Sequence, residues 1–425
     1  MMKPKGFFQR IKQINYKKIV AVVFLAAIFY IGSAGFPSVI NNIDKLLTSE
    51  HPNIIATSKK IDTKYSKMFN FKDHNLHNKG FYINLNGLMA RIMGQRYVNK
   101  RVKLDNGHLA SLFKKTDITL AAEQLTKLYN KQKENDKAFL FVLAPGQLPK
   151  YEDILPAGYQ DYGNQNADAL LDALKENGVP FLDLREEMIY DGIDHTDAFF
   201  ITDHHWKPET GFWAYSKIID ILIYNRIIDP IDPMYTDIGE YNVEVYPEFF
   251  LGAFGRRTGM YYAGVDDIAI ITPKTDPDIS LNDPSKDIEK QGTFSNVAFD
   301  WDMLKKDYYS INPYTAYNYG RLTGVKEYRN ETAPVDLKVL AIGDSFAIVP
   351  FTFLPLVFNT CDQMDMRDYQ EDFEEYYSKY EPDIVIVLIN PSQVAEENTS
   401  YDFFNDLTAE QEISGEPEKY YGDLF

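Results

Sequence analysis

One cysteine, Cys361, stands in 425 residues, so no disulfide can form within the chain. An extracytoplasmic protein without disulfides fits a bacterium lacking an outer oxidising compartment better than a eukaryotic secretory route. Basic charge is also scarce once the N-terminus is set aside. Lys3, Lys5, Arg10, Lys12, Lys17 and Lys18 fall within the first 18 residues, which hold no acid, leaving residues 19–425 with 38 Lys and Arg against 62 Asp and Glu, a formal −24. That balance argues against nucleic acid as a partner, because affinity there depends on neutralising phosphates. It says little about fold. Histidine numbers only 7, so two that adjoin an acid stand out. No internal repeat or low-complexity tract is present.

One long uncharged run does occur, over residues 19–36. A spanning helix needs about 20 mostly apolar residues, with a range of roughly 17–25. The run is at the short end, between a signal peptide and a signal anchor. It lacks the polar face that a soluble core helix would show. Gly32-Ser33-Ala34 leaves cleavage open, but the basic tail favours a retained anchor with its N-terminus in the cytoplasm. The sequence therefore divides into a cytoplasmic basic tail (1–18), a transmembrane signal anchor (19–36), a linker and N-terminal extension (37–110), a main domain (111–410) and an acidic C-terminal tail (411–425). Its 45% hydrophobic content is ample for a core.

The main domain reads as alternating helices and strands. A helix is predicted over residues 119–130, then a strand over 138–145 whose unbroken apolar character suits burial on both faces. A second helix over 167–177 closes on Gly178, and a strand follows over 179–184. Residues 229–335 break the rhythm with Pro, Gly, Asp and Tyr, and read as an inserted loop/β lobe. Five tyrosines fall between Asp307 and Gly320; such rings can stack on sugars, though packing of the lobe onto the core is the favoured reading. The rhythm resumes at Lys338, with a helix over 371–380 and a last strand over 382–390. Strand, helix and strand in succession mean parallel pairing and an α/β core. Farther upstream, His74 and His77 could form a metal pair, but no further ligand stands at a typical spacing.

Two stretches carry chemistry. Phe199-Phe200-Ile201-Thr202-Asp203-His204-His205-Trp206 reads as a strand end and turn before a helix opened by Pro208. Lys338 to Gly343 is a short apolar strand ending in Gly343-Asp344-Ser345. Serine is a poor nucleophile unless a histidine removes its proton, and the histidine needs an acid to fix its tautomer. In Asp203-His204-His205, the acid and the histidine two residues on can share one side of an extended turn. That makes Ser345 the candidate nucleophile, His205 the base and Asp203 its orienter, with His204 turned away toward packing or a supporting contact.

The pairing of Ile201-Thr202-Asp203-His204-His205-Trp206 with Gly343-Asp344-Ser345-Phe346 about 140 residues later resembles the bacterial envelope proteins named for Asp-His-His-Trp. These in turn resemble the SGNH-hydrolase-like alginate O-acetyltransferases. The resemblance extends to the N-terminal anchor, Phe254-Gly255-Arg256-Arg257-Thr258-Gly259, Asp266-Asp267 and Asp365-Met366-Arg367, and covers roughly residues 70–410. It implies a flavodoxin-like, SGNH-like three-layer α/β sandwich with a parallel sheet. Ordinary SGNH hydrolases place Gly-Asp-Ser first and an Asp-x-x-His last; this chain reverses the order and shortens the spacing, as the acetyltransferase branch does. Where ordinary members carry a glycine and an asparagine for the oxyanion, the matching places hold Arg367 and Asn390.

The implied activity is a membrane-anchored extracytoplasmic O-acetyltransferase or acetylesterase acting on an envelope polysaccharide, with acetyl arriving from a membrane-bound acyltransferase. No cofactor or metal is called for. Two other classes stay open. Asp203, His204 and His205 could be ligands of a metal-dependent phosphoesterase, and the chain could be a non-catalytic polysaccharide-binding or scaffold protein.

Overall fold

The computed structural model describes residues 79–394 and 403–404. The predicted tail, anchor and acidic C-terminus, and the His74–His77 pair, lie outside these residues. No helix among the described residues is long and apolar enough to cross a membrane.

The chain divides into a unit of residues 1–82 and one of 83–425. Only the opening of helix α1 (Lys79–Ile92) belongs to the described part of the first. Three short strands follow, β1 (Tyr97–Val98), β2 (Arg101–Lys103) and β3 (Leu109–Ala110), as a small antiparallel sheet. The α/β rhythm then begins with α2 (Thr119–Glu134), β4 (Ala138–Leu143), α3 (Gly163–Glu176), β5 (Phe181–Asp183) and α4 (Leu184–Tyr190). Helix α3 ends as Gly178 predicts. The residue has φ +71, and the next amide, Val179 N–H, reaches back 2.9 Å to Leu174 O.

Helix α5 (Pro208–Tyr224) begins on its proline, where the missing N–H costs nothing. Then come β6 (Tyr241–Phe250), α6 (Ala253–Thr258), β7 (Asp266–Pro273), β8 (Asp278–Asp283), β9 (Ile288–Thr293) and β10 (Lys326–Arg329). The chain closes with β11 (Val335–Gly343), α7 (Ile348–Val357), β12 (Phe358–Met364), α8 (Phe373–Tyr380) and β13 (Ile384–Ile389).

An eight-stranded sheet organises the fold, in the order β5-β4-β13-β11-β12-β10-β8-β9. The first five strands run parallel, and β10, β8 and β9 continue antiparallel. The apolar runs in β4, β11 and β13 are unbroken because alternate residues feed two cores. Leu140, Val142, Val339, Ala341, Ile386 and Leu388 face α5 and α7. Phe141, Leu143, Leu340, Ile342, Val385 and Val387 face α2, α3 and α8. This is the α/β core the rhythm predicts and the three-layer sandwich the resemblance implies, with a mostly parallel sheet. Truncating one such residue, Ile386→Ala, should cost about 2–5 kcal/mol.

Two sequence expectations need correcting. Residues 229–335 hold the short strands and loops expected of the insertion, but those strands do not pair only among themselves. Three of their strands extend the main sheet, and β6 pairs with β7 in a separate ribbon. Lys-Glu-Tyr-Arg in β10 alternates buried and half-buried positions instead of forming an apolar run, so a search for runs passes over it. Residues 199–206 are also not a strand end. Phe199 and Trp206 form an isolated antiparallel bridge that closes a loop, with Phe200 N–H donating to His205 O at 3.3 Å and Lys207 N–H to Ala198 O at 2.8 Å. Phe199, Phe200 and Trp206 are fully buried in the core beside α5. The apolar run is therefore the loop's anchor.

Candidate active site

Ser345 follows the carboxyl end of β11, near the end of β13, where open α/β sheets place ligands. The turn that exposes it is built by Asp344, whose carboxylate accepts from Phe346 N–H at 2.8 Å and from Asn390 N–H at 2.9 Å. Burial pushes the Asp344 carboxyl up, against the opposing charge of Arg367 and the hydrogen bonds from Asn390 and Phe346. Glycine is required just before, since a Cβ at Gly343 would lie 2.4 Å from Ala347 Cβ. Helices α5 and α7 carry the two halves of the site and touch at Gly211, where a Cβ would meet Val349 at 2.7 Å.

The loop of Asp203 and His205 is clamped from several sides. Asp266, buried at the start of β7, accepts from Ile201 N–H at 2.8 Å, Thr202 N–H at 2.9 Å and Thr202 Oγ1–H at 2.5 Å. Thr202 Oγ1 in turn accepts from Gly252 N–H at 2.8 Å. The Gln147 amide, just past β4, donates to Asp203 O and, at 3.4 Å, to Phe200 O.

These constraints bring three side chains into line. His205 Nε2 lies 2.8 Å from Ser345 Oγ, and His205 Nδ1 lies 2.6 Å from Asp203 Oδ1. Asp203 also accepts from His205 N–H at 3.1 Å and from Ala253 N–H, at the start of α6, at 2.6 Å. Burial works to raise the Asp203 carboxyl, but the neighbouring histidines and these hydrogen bonds overcome it and hold the group well below the usual carboxylate range. An ionised Asp203 keeps the hydrogen on His205 Nδ1 and leaves Nε2 to accept from the serine.

Aromatic rings enclose the base. Tyr314 stacks on the His205 ring, with centroids 4.5 Å apart and planes 22° from parallel, and Phe346 stands 5.1 Å away. His204 is not turned away as its alternation with His205 suggests. Its ring lies 3.8 Å from that of His205 and its Nδ1 is 3.2 Å from Asp203 Oδ1, beside Phe254 and Phe346. Burial and the His205 charge lower its pKa to about 3, so it is neutral near pH 7. Asp203, His204 and His205 also offer ligand atoms within 4.8 Å of one another, the one such cluster among the described residues. A metal held there would take one nitrogen of His205 and so break one of its two contacts, the one to Asp203 or the one to Ser345.

Arg367 and Asn390 sit behind the serine turn. The Arg367 guanidinium donates to Asp365 at 2.9 Å through Nε and at 2.5 Å through Nη2. Asn390 Nδ2 donates to Asp344 at 2.5 Å, while its Oδ1 accepts from Ser392 N–H at 2.8 Å. Sequence reasoning named Ser345, His205 and Asp203 but passed over Gln147, Gly252, Ala253 and Tyr314. Two of these act through backbone, and Gln147 has no motif around it. Tyr314 is one of the five clustered tyrosines, and of them Tyr314 and Tyr317 are fully buried.

Residues 108–226 match the family model of the SGNH hydrolase-like domain of the acetyltransferase AlgX, a segment that holds Asp203 and His205 but not Ser345. Among solved structures, the chain is similar to Bacillus cereus PatB1 with a sulfonyl adduct, at TM-score 0.59 and 17% identity, covering 71% of this chain and 99% of that one. It is also similar to a DHHW family protein from Eubacterium siraeum DSM 15702, at TM-score 0.53 and 15% identity, covering 71% of this chain and 93% of that one. No curated protein matches the chain's sequence. The fold is SGNH hydrolase-like, as the resemblance implies.

Proposed function

We propose that the chain is an extracytoplasmic O-acetyltransferase or acetylesterase, anchored by residues 19–36, that modifies an envelope polysaccharide through Ser345, His205 and Asp203. The observation that carries this reading is the continuous hydrogen-bonded line from Ser345 Oγ through both nitrogens of His205 to Asp203. The AlgX family model supports acetyl transfer, and the sulfonyl adduct of PatB1 supports a reactive nucleophile on this fold.

In this reading His205 Nε2 takes the Ser345 proton as Oγ attacks the acetyl carbonyl. Asp203 holds the resulting imidazolium. The tetrahedral oxyanion takes a hydrogen bond from Ser345 N–H, with Arg367 as charge nearby and Asn390 fixing the turn through Asp344. His205 returns the proton to the leaving oxygen, giving an acetyl-serine. A sugar hydroxyl then resolves it in transfer, and water in hydrolysis. The acetyl donor would be a membrane-bound acyltransferase.

Hydrolysis of p-nitrophenyl acetate by the purified protein tests the chemistry. Activity should persist in EDTA and be lost to a serine-directed sulfonyl fluoride, with the label on Ser345. Chelator-sensitive activity that resists the sulfonyl fluoride would move the assignment to metal chemistry at Asp203, His204 and His205.

A further inference from the structure

Helix α1 shows two unlike faces. Gly87 and Ala90 are buried against the segment after α6; a Cβ on Gly87 would lie 2.2 Å from Thr258 O. Asn84 on this side accepts from Met260 N–H at 2.8 Å and from Tyr309 Oη–H at 2.5 Å. The opposite stripe is Leu85, Leu88, Met89 and Ile92, at the i, i+3, i+4, i+7 spacing of one helix face, extended by Met93. Each is more than a third exposed, and Ile92 reaches 70%. A contiguous stripe of large apolar side chains facing outward marks an interaction surface.

Charge indicates what covers it. Residues 79–103 carry six basic side chains (Lys79, Arg91, Arg96, Lys100, Arg101 and Lys103) and no acid, in a chain of net charge −18, and of the six Arg96 is paired with Asp105 at 3.2 Å. Arg91 holds Tyr261 O at 3.2 Å, and the Tyr261 ring is half exposed beside it. Apolar stripe, basic flank and rim tyrosine are the pattern of a helix lying in a membrane interface. At about 1.5 Å per residue, α1 reaches about 21 Å, too short to span a hydrocarbon layer of about 30 Å. The uncharged run at residues 19–36, read above as an anchor, lies upstream on the same chain.

We propose that the outward face of α1 docks on an anionic lipid surface, lying in its plane as a second membrane contact independent of residues 19–36. The helix packs on Thr258, the last residue of α6, whose first amide holds Asp203. The contact therefore holds the candidate active site at the bilayer surface. This surface does not depend on the serine chemistry and would stand if Ser345 proved inert.

Cys361 is buried, so single cysteines introduced as Ile92→Cys and, at the far end of α5 from the catalytic loop, Tyr224→Cys can carry spin labels in the full chain. In phosphatidylcholine vesicles containing phosphatidylglycerol, the Ile92 label should collide with oxygen in several-fold preference to a water-soluble nickel chelate, relative to the Tyr224 label. Adding Arg91→Glu and Arg96→Glu should reduce that preference severalfold. Equal nickel access at the two positions would overturn the proposal. Shielding with spin–spin broadening between Ile92 labels would overturn it in favour of a second copy of the chain.

Discussion

Gly252 lies against Asp203 so closely that a Cβ would stand 2.3 Å from Asp203 Cβ and 2.5 Å from its Oδ2. The approach lets Gly252 and Ala253 N–H reach Thr202 Oγ1 and Asp203 Oδ2. Gly252→Ala must push the loop away. We expect it to cost about 1–3 kcal/mol of stability and roughly 10²-fold in turnover through displacement of the acid. Thermal unfolding and ester turnover of the variant check both, and an unchanged turnover would show that the Asp203 position is not critical.

Tyr314 offers its ring face to the base. An aromatic face steadies a cation by roughly 0.5–2 kcal/mol, more when water is excluded, so it favours the imidazolium that forms as Ser345 attacks. Tyr314→Leu should lower turnover about tenfold, while Tyr314→Phe, which keeps the face, should stay near wild type. Equal losses in the two variants would point to the hydroxyl instead.

The motifs Asp203-His204-His205-Trp206 and Gly343-Asp344-Ser345 made the three reacting side chains legible, because each role demands a particular residue type. The unbroken apolar runs of β4, β11 and β13 likewise revealed the sheet, since only strands buried on both faces carry them. Gly252 and Ala253 were not legible; their contribution is a backbone position set by α6, and nothing in their side chains reports it. Strands β8 and β10 escaped because each buries alternate residues and mixes charge into the rest, and β9 because none of its residues is fully buried. His204 packs, as its alternation with His205 suggests, but Phe254 and Phe346 draw its ring beside His205 instead of away from it.

His195 stacks on Phe199 at 4.8 Å beneath the catalytic loop, and burial lowers its pKa to about 4. The unfolded chain therefore binds a proton near pH 6.5 that the folded chain refuses. The contribution is fully present above about pH 6.5 and declines as pH falls from there to about 4, so stability drops on acidification. His195→Gln cannot take up that proton, and its melting temperature should fall less steeply across this window. Parallel slopes for wild type and variant would remove His195 as a source of acid sensitivity.

The assignment of the base is tested most directly by acetyl-ester turnover of His205→Ala and His204→Ala, measured beside Ser345→Ala and Asp203→Asn, with folding checked by circular dichroism. Ser345→Ala should abolish turnover and sulfonyl labelling together, and His205→Ala should lose roughly 10⁴-fold or more. Asp203→Asn should be milder than His205→Ala. His204→Ala, although its ring lies 3.8 Å from that of His205, should fold and keep most of its activity. An inactive His204→Ala with an active His205→Ala would contradict the assignment of the base, and wild-type turnover in all four would place the chemistry elsewhere.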